Sequence, residues 1–186
     1  VVGSVNVYKR QGHDDRSCAY AAFEALLGIE QPETTAVGLF VDKEEIGSVG
    51  NTSMSARYFE NILAELFALA GKDTELSVRR ALAGSYVLSA DVTAALDPTF
   101  PDVMDRRNTA FLGKGVALCK YTGARGKSGS NDANAEFLAK LRSAFSAAGV
   151  PWQTGELGRV DEGGGGTIAY ILAERGAEVV DCGVPM

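Results

Sequence analysis

An α/β fold with a largely parallel central sheet is predicted by three features of the sequence. Short apolar runs such as Ser85–Ser89 and Glu178–Asp181 alternate with longer segments whose apolar residues recur at helical spacing. Carboxylates follow the C-terminal ends of two such runs, where open α/β sheets place their ligands: Glu44 and Glu45 after Thr35–Val41, and Asp91 after Ser85–Ser89. The 186 residues contain no internal repeat and no interdomain linker, and they suffice for one core.

The elements follow in order. From Asp14 the stretch Cys18–Leu27 has helical spacing, with Asp14 or Asp15 as its cap and Gly28 as its stop. Thr35–Val41 reads as the first strand, and residues 47–53 form a glycine- and serine-rich loop. A long helix is expected from Ser53 to Leu69, with Phe59, Ile62, Leu63, Leu66 and Phe67 on one face. Gly71 ends it, and Thr74–Ala83 is a shorter helix. Ser85–Ser89 is a buried strand, and Ala94–Met104, with two prolines, is turn-rich. Gly115–Tyr121 reads as a third strand and Thr122–Ser130 as a polar loop. Asn131 or Asp132 caps a helix reaching Ala148 that carries Phe137, Leu138, Leu141 and Phe145. Val150–Thr154 is a short strand, Gly163–Gly166 opens a helix over Thr167–Glu174, and Glu178–Asp181 is the last strand.

Composition narrows the function. Hydrophobic residues make up 46% and charged residues 23%, which marks a globular chain. A net charge of −6 argues against nucleic acid or an anionic membrane as partner. No apolar run is long enough to span a bilayer, and no signal-peptide pattern is present. Cys18, Cys119 and Cys182 are odd in number, far apart and in apolar settings. They read as reduced core residues of a cytoplasmic protein. Without a CxxC or a Cys/His cluster, a structural zinc knot is excluded.

Carboxylates brought to strand ends from separate parts of a chain are what a two-metal hydrolytic site requires. The stretches that carry them are GHDDRSCAY from Gly12, VDKEEIGS from Val41, SADVTAALDP from Ser89, KSGSNDA from Lys127, GRVDEGGGGTIA from Gly158 and VVDCGVP from Val179. In that series the chain, from about Gly12 to Met186, resembles the dizinc aminopeptidase family of aspartyl aminopeptidase and vacuolar aminopeptidase I. The resemblance implies a three-layer zinc-peptidase-like fold, incomplete in this chain, and a Zn2+ site of two ions. It also implies that Asp14 bridges the metals, that Glu45 and Asp91 are ligands, and that Glu44 is the general base. Asp15 stands as the alternative bridge. In such a site the zinc lowers the pKa of a water, and Glu44 takes its proton and passes it to the leaving amine.

The family's two histidine ligands have no counterpart here. The one histidine, His13, directly precedes Asp14, and adjacent residues rarely converge on one tetrahedral ion, so it reads as a loop residue. Residues 12–186 are therefore expected to be the C-terminal part of a metallopeptidase catalytic domain, truncated at both ends and inactive as supplied. Residues 1–11 differ in character; Val7–Gln11 resembles a translated sequencing adapter, so 1–11 is expected to be a non-native leader, with an ordinary N-terminal strand as the alternative. The resemblance further implies peptide substrates with acidic or neutral N-terminal residues, and a homo-oligomer, a dodecamer in the intact family. Lys120, at the end of its strand, is a candidate for a substrate carboxylate, with a surface lysine as the plain alternative. Asp161, Gly164 and Gly165 resemble the family's loop beside the substrate, with a flexible turn as the alternative. The triplet Gly126-Lys127-Ser128 matches the end of a phosphate loop, but Tyr121 stands where the first glycine belongs, so that reading fails. Two other function classes compete with the peptidase. One is a non-catalytic α/β binding module that kept the fold; the other is a nucleotide-binding protein using the Gly163–Gly166 loop.

Overall fold

The computed structural model describes residues 12–125, 128–159 and 161–186. The leader expected at residues 1–11, and Lys127 of the discarded phosphate loop, lie outside the described residues. The helices are α1 (His13–Leu27), α2 (Tyr58–Leu69), α3 (Thr74–Ala83), α4 (Ala135–Ala147) and α5 (Ala169–Ala173). The strands are β1 (Tyr86–Ala90), β2 (Val116–Cys119), β3 (Tyr121–Ala124), β4 (Ser128–Asp132), β5 (Trp152–Thr154) and β6 (Glu178–Gly183).

The central sheet has the order β1-β6-β2-β5. Pairs β1–β6 and β2–β5 are parallel, as the strand–helix alternation predicts, while β6–β2 is antiparallel. Strand β6 sits in the middle of the fold because it is apolar on both faces. Successive side chains leave opposite faces of a strand. Val179 accordingly packs with Val78, Leu82, Ile171 and Leu172, backed by Phe59, Leu63 and Phe67 of α2. Val180 packs on the other face with Leu118 and Phe137, backed by Leu138, Leu141 and Phe145 of α4. Helices on both faces of one sheet give the three layers.

Several elements match expectation closely. Helix α3 has the predicted bounds, and its cap Asp73 accepts a hydrogen bond from Leu76 N at 2.7 Å. Others differ. Thr35–Val41 forms no ladder among the described residues. Leu39 and Val41 still pack on the core while Phe40 between them is 54% exposed, so the burial has a strand's period of two without a paired neighbour. Helix α2 begins at Tyr58, because Ser53 Oγ donates to Gly50 O at 2.8 Å and holds a turn, with Met54 buried beside it.

Within the expected loop Thr122–Ser130, Thr122–Ala124 and Ser128–Ser130 are strand. They belong to the antiparallel pair β3–β4, with a register shift between Thr122 and Ala124. Polar residues stapled to β6 hold it: Asn131 Nδ2 donates to Val179 O at 3.0 Å, and Thr122 Oγ1 donates to Asp181 Oδ2 at 3.0 Å. Because Asn131 and Asp132 stay in β4, the cap position of α4 moves on to Asn134.

Leu118 has no solvent exposure and sits between β6 and α4. Leu118→Ala should destabilise the fold by about 2–5 kcal/mol, read from denaturant unfolding; a change under about 1 kcal/mol would place the core elsewhere.

Candidate metal centre

Three segments meet beyond the C-terminal end of β1. Gly12, with φ of 74°, turns the chain into α1, and Arg16 N donates back to Gly12 O at 3.2 Å. Asp14 and Asp15 keep non-helical dihedrals inside that first turn, so their side chains are not swept onto the flank of the helix. Asp91 follows β1 directly. One carboxylate oxygen each from Asp14, Asp15 and Asp91 lie within 4.8 Å of one another.

Glu44 and Glu45 occupy a short 3-10 turn, Glu44–Ile46, between two left-handed residues, Lys43 with φ of 66° and Gly47 with φ of 91°. Lys43 Nζ donates to Asp42 Oδ2 at 2.9 Å and to Thr52 Oγ1 at 2.7 Å, which closes the base of this turn. Glu44 is half-buried and Glu45 exposed.

The position of Asp91 is set by backbone packing. A Cβ on Gly183 would collide with the carbonyl oxygen of Asp91, and Gly183 has no left-handed φ. Its lack of a side chain is therefore required by close approach rather than by conformation.

Burial dominates the electrostatics, and like charges add to it. Asp91 is pushed up to about 7, first by burial and then by Asp14, Asp15 and Glu44. Burial raises Glu44 as well, with Glu45, Asp14 and Asp15 adding to it. Burial also raises Asp15, whose Oδ1 has no hydrogen-bond partner. No basic side chain pairs with any of these four among the described residues. A dication fits such a group. Oxygen ligands sit about 2.0–2.2 Å from zinc, so two on one ion are at most about 4.4 Å apart. The three aspartates are already gathered near that span, and a positive ion removes the repulsion between them.

Of the expected site residues, the structure gathers Asp14 and Asp91 and adds Asp15, the alternative bridge. Glu44 acts on the same group through its charge. Glu45 stands next to it without joining the three, and His13 is not in the group either. Lys120 follows the last residue of β2, Cys119, which pairs with Asp181 in the antiparallel register that sets Ala117 opposite Gly183. There it forms an ion pair with Asp132.

Asp161 is exposed with φ of 67°. Gly163 and Gly164 line a cleft with Tyr121, Gly123 and Gly158. Gly158 and Gly164 touch so closely that a Cβ on Gly158 would strike Gly164 N, and Gly165 O accepts from Gly123 N at 2.9 Å. The glycines thus serve a close backbone approach between that loop and β3.

The three cysteines are free, and burial pushes the Cys18 and Cys119 thiols up to about 11 and Cys182 to about 12, so they stay protonated. Sequence reasoning missed the buried polar group of Ser89, Thr122 and Thr167 around Asp181, because isolated hydroxyl residues carry no local signal.

Comparison with known proteins adds an independent line. Residues 6–186 match the family described as aminopeptidase I zinc metalloprotease (M18). A probable M18 family aminopeptidase 1 of Clostridium acetobutylicum is 55% identical over 175 residues, covering 94% of this chain and 38% of that protein. The crystal structure of an M18 family aminopeptidase from Thermotoga maritima superposes with a TM-score of 0.85 at 50% identity, covering 92% of this chain and 38% of that one. A structure of the S. cerevisiae mApe1 dodecamer superposes with a TM-score of 0.65 at 25% identity, covering 91% of this chain and 37% of that one. The chain thus spans well under half the length of the relatives it matches.

Two outcomes follow from this geometry. Gly183→Ala should displace Asp91 and weaken zinc binding at least about tenfold in a metal titration; unchanged affinity would show that the backbone contact does not set Asp91. The second concerns pH. Asp91 in the fold has a pKa of about 7, above its unfolded value, so the folded metal-free chain holds a proton that the unfolded chain releases. Stability without metal should fall as pH rises from about 4 to about 7, and Asp91→Asn should flatten that fall in chemical denaturation; an unchanged slope in the variant would assign the proton elsewhere.

Proposed function

The chain belongs to the aminopeptidase I zinc metalloprotease family, M18, and from that premise we propose that its protein removes N-terminal residues from peptides at a two-zinc site built on the gathered carboxylates. The reading is carried by one observation: Asp14, Asp15 and Asp91 converge from two distant segments, with Glu44 facing them and no basic partner among the described residues. In this reading Asp14 bridges the ions, with Asp15 as the other candidate, and Asp91 and Glu45 each hold one. Zinc bound there would polarise the scissile carbonyl and make a water more acidic. Glu44, half-buried and raised by burial and by its acidic neighbours, is suited to take a proton from water and return it to the leaving amine. The cleft of Gly163 and Gly164 offers exposed backbone to an extended peptide.

Substrates of this kind carry acidic or neutral N-terminal residues. With Lys120 committed to Asp132, a preference for acidic residues finds no support from Lys120. A homo-oligomer is part of the proposal, supported by the mApe1 dodecamer among the similar structures. So is a cytoplasmic setting, supported by three free cysteines. No helix among the described residues is long and apolar enough to cross a membrane. The resemblance supplies two histidine ligands, and His13 stands outside the carboxylate group, so the 186 residues alone are proposed to be inactive. The alternative is a binding module that kept the peptidase fold. Retaining four mutually repelling carboxylates around one point favours the metal-dependent reading over it.

In the full-length protein, Glu44→Gln should lower kcat by at least about 10²-fold with zinc content unchanged. Glu45→Gln should instead lower zinc content by elemental analysis. Near-normal turnover in the first variant would move the base to another residue; full zinc in the second would remove Glu45 from the ligand set. Zinc-dependent, chelator-sensitive turnover by the 186-residue chain itself would overturn the need for further imidazole ligands.

A further inference from the structure

A path leads from the carboxylate group to a carboxylate that nothing pairs. The chamber lined by Asp91, Thr93 and Asp181 shares Thr122 and Leu157 with the cleft of Gly163 and Gly164, so the two are continuous. Glu156 lines the outer part, next to Leu157 and on the same wall. Its segment is held firmly just after β5. A Cβ on Gly155 would strike Ala110, Gly155 N donates to Leu118 O at 3.2 Å, and Glu156 N donates to Asn108 O at 2.6 Å. Close backbone contacts thus fix where the Glu156 side chain starts.

The other charges of this region are already matched. Arg159 also lines the cleft, and its guanidinium is paired with Glu162 at 3.2 Å. Lys120 is paired with Asp132. Asp105, the acidic neighbour of Glu156, accepts from Arg107 N and Asn108 Nδ2, each at 3.0 Å. The Glu156 carboxylate is half-buried and has neither an ion pair nor a hydrogen bond among the described residues. Burial raises it, and Asp105 adds to the rise. The cleft therefore carries one uncompensated negative charge, partly withdrawn from water, at a fixed place along its wall.

We propose that Glu156 determines substrate specificity in this cleft, taking the ammonium or guanidinium group of a lysine or arginine side chain in the bound peptide. The proposal rests on the peptidase reading, which supplies the peptide, and it names the class of side chain that the cleft favours. A charge-assisted hydrogen bond to a half-buried carboxylate is stronger than one to a solvated carboxylate. The methylene stem of such a side chain would lie along Leu157 and the ring of Tyr121, with its charged end at Glu156. An acidic side chain in the same place would meet like charge from both Glu156 and Asp105. The cleft thus selects by attraction and by repulsion together.

The test uses the full-length, zinc-loaded protein and two peptide series, X-Ala-Phe and Ala-X-Phe, with X as lysine, norleucine or glutamate. Norleucine keeps the stem of lysine and removes its charge. In one of the two series kcat/KM should be at least about tenfold higher for lysine than for norleucine, and lowest for glutamate. Glu156→Gln should bring the lysine-to-norleucine ratio to about twofold or less, and Glu156→Lys should turn the preference toward glutamate. If Glu156→Lys does not fold, Glu156→Gln decides. A wild-type protein that treats lysine and norleucine alike in both series would overturn the proposal, as would a preference that survives Glu156→Gln. A loss in Glu156→Gln shared equally by both peptides would assign Glu156 to the α-ammonium and overturn it too. Calorimetric binding of the same peptides separates this proposal from the one beneath it. A protein that cleaves none of them but binds the lysine peptide more tightly than the norleucine peptide, through Glu156, would support the cation subsite while rejecting the peptidase reading; equal binding without cleavage would reject both.

Discussion

The site depends on the parallel pairing of β1 with β6. Five register pairs, Tyr86 with Glu178 through Ala90 with Cys182, bring the two strands to their C-terminal ends side by side. Beyond the last pair Asp91 meets Gly183, backbone against backbone. Strand β6 can serve as this reference because Val179 and Val180 bury opposite faces. The hydrophobic energy of two helical layers thus fixes the direction of one carboxylate. Besides a backbone hydrogen bond from Val92, the carboxylate of Asp91 needs no further bond to hold its direction, which would leave lone pairs for a metal.

The same fold tolerates two kinds of acidic burial with different remedies. Around Asp91 the carboxylates repel one another, and a shared dication would relieve all of them at once. Asp181 lies deeper and alone, surrounded by hydroxyls from β1, β3 and the segment before α5. Hydroxyls orient a carboxylate without neutralising it. The two groups adjoin one chamber.

The sequence was most legible where apolar periodicity and local punctuation agreed. Helix α3 has both, an Asp73 cap and a Gly84 stop around a periodic run. β1 and β6 were legible as short apolar runs, and the carboxylates near them as ligand candidates. Legibility failed where burial is polar. Thr122 is 1% exposed, and Asn131 is buried beside it, yet both are held by side-chain hydrogen bonds to β6 that no pattern within residues 122–131 announces. The sense of β2 within the sheet was not legible either. The direction of β2 follows from its partner across the sheet, and an apolar run reads the same in either direction.

The three acidic segments are anchored unequally, and that inequality says what a metal would do for the fold. Asp91 rides on the sheet. The Glu44–Ile46 turn is tied to the core by Leu39, Val41 and Met54 on either side of it. Helix α1, which brings Asp14 and Asp15, buries only Cys18 and leaves Tyr20, Phe23 and Leu27 largely exposed. Few apolar contacts and an exposed face mark the least stable part of a structure. An ion shared between Asp14 and Asp91 would replace their repulsion with a bond between α1 and β1. Binding energy of that kind is folding energy. In this chain the metal would therefore serve as the fastening of α1 as well as the centre of the chemistry, and loss of metal and loosening of α1 would be one event.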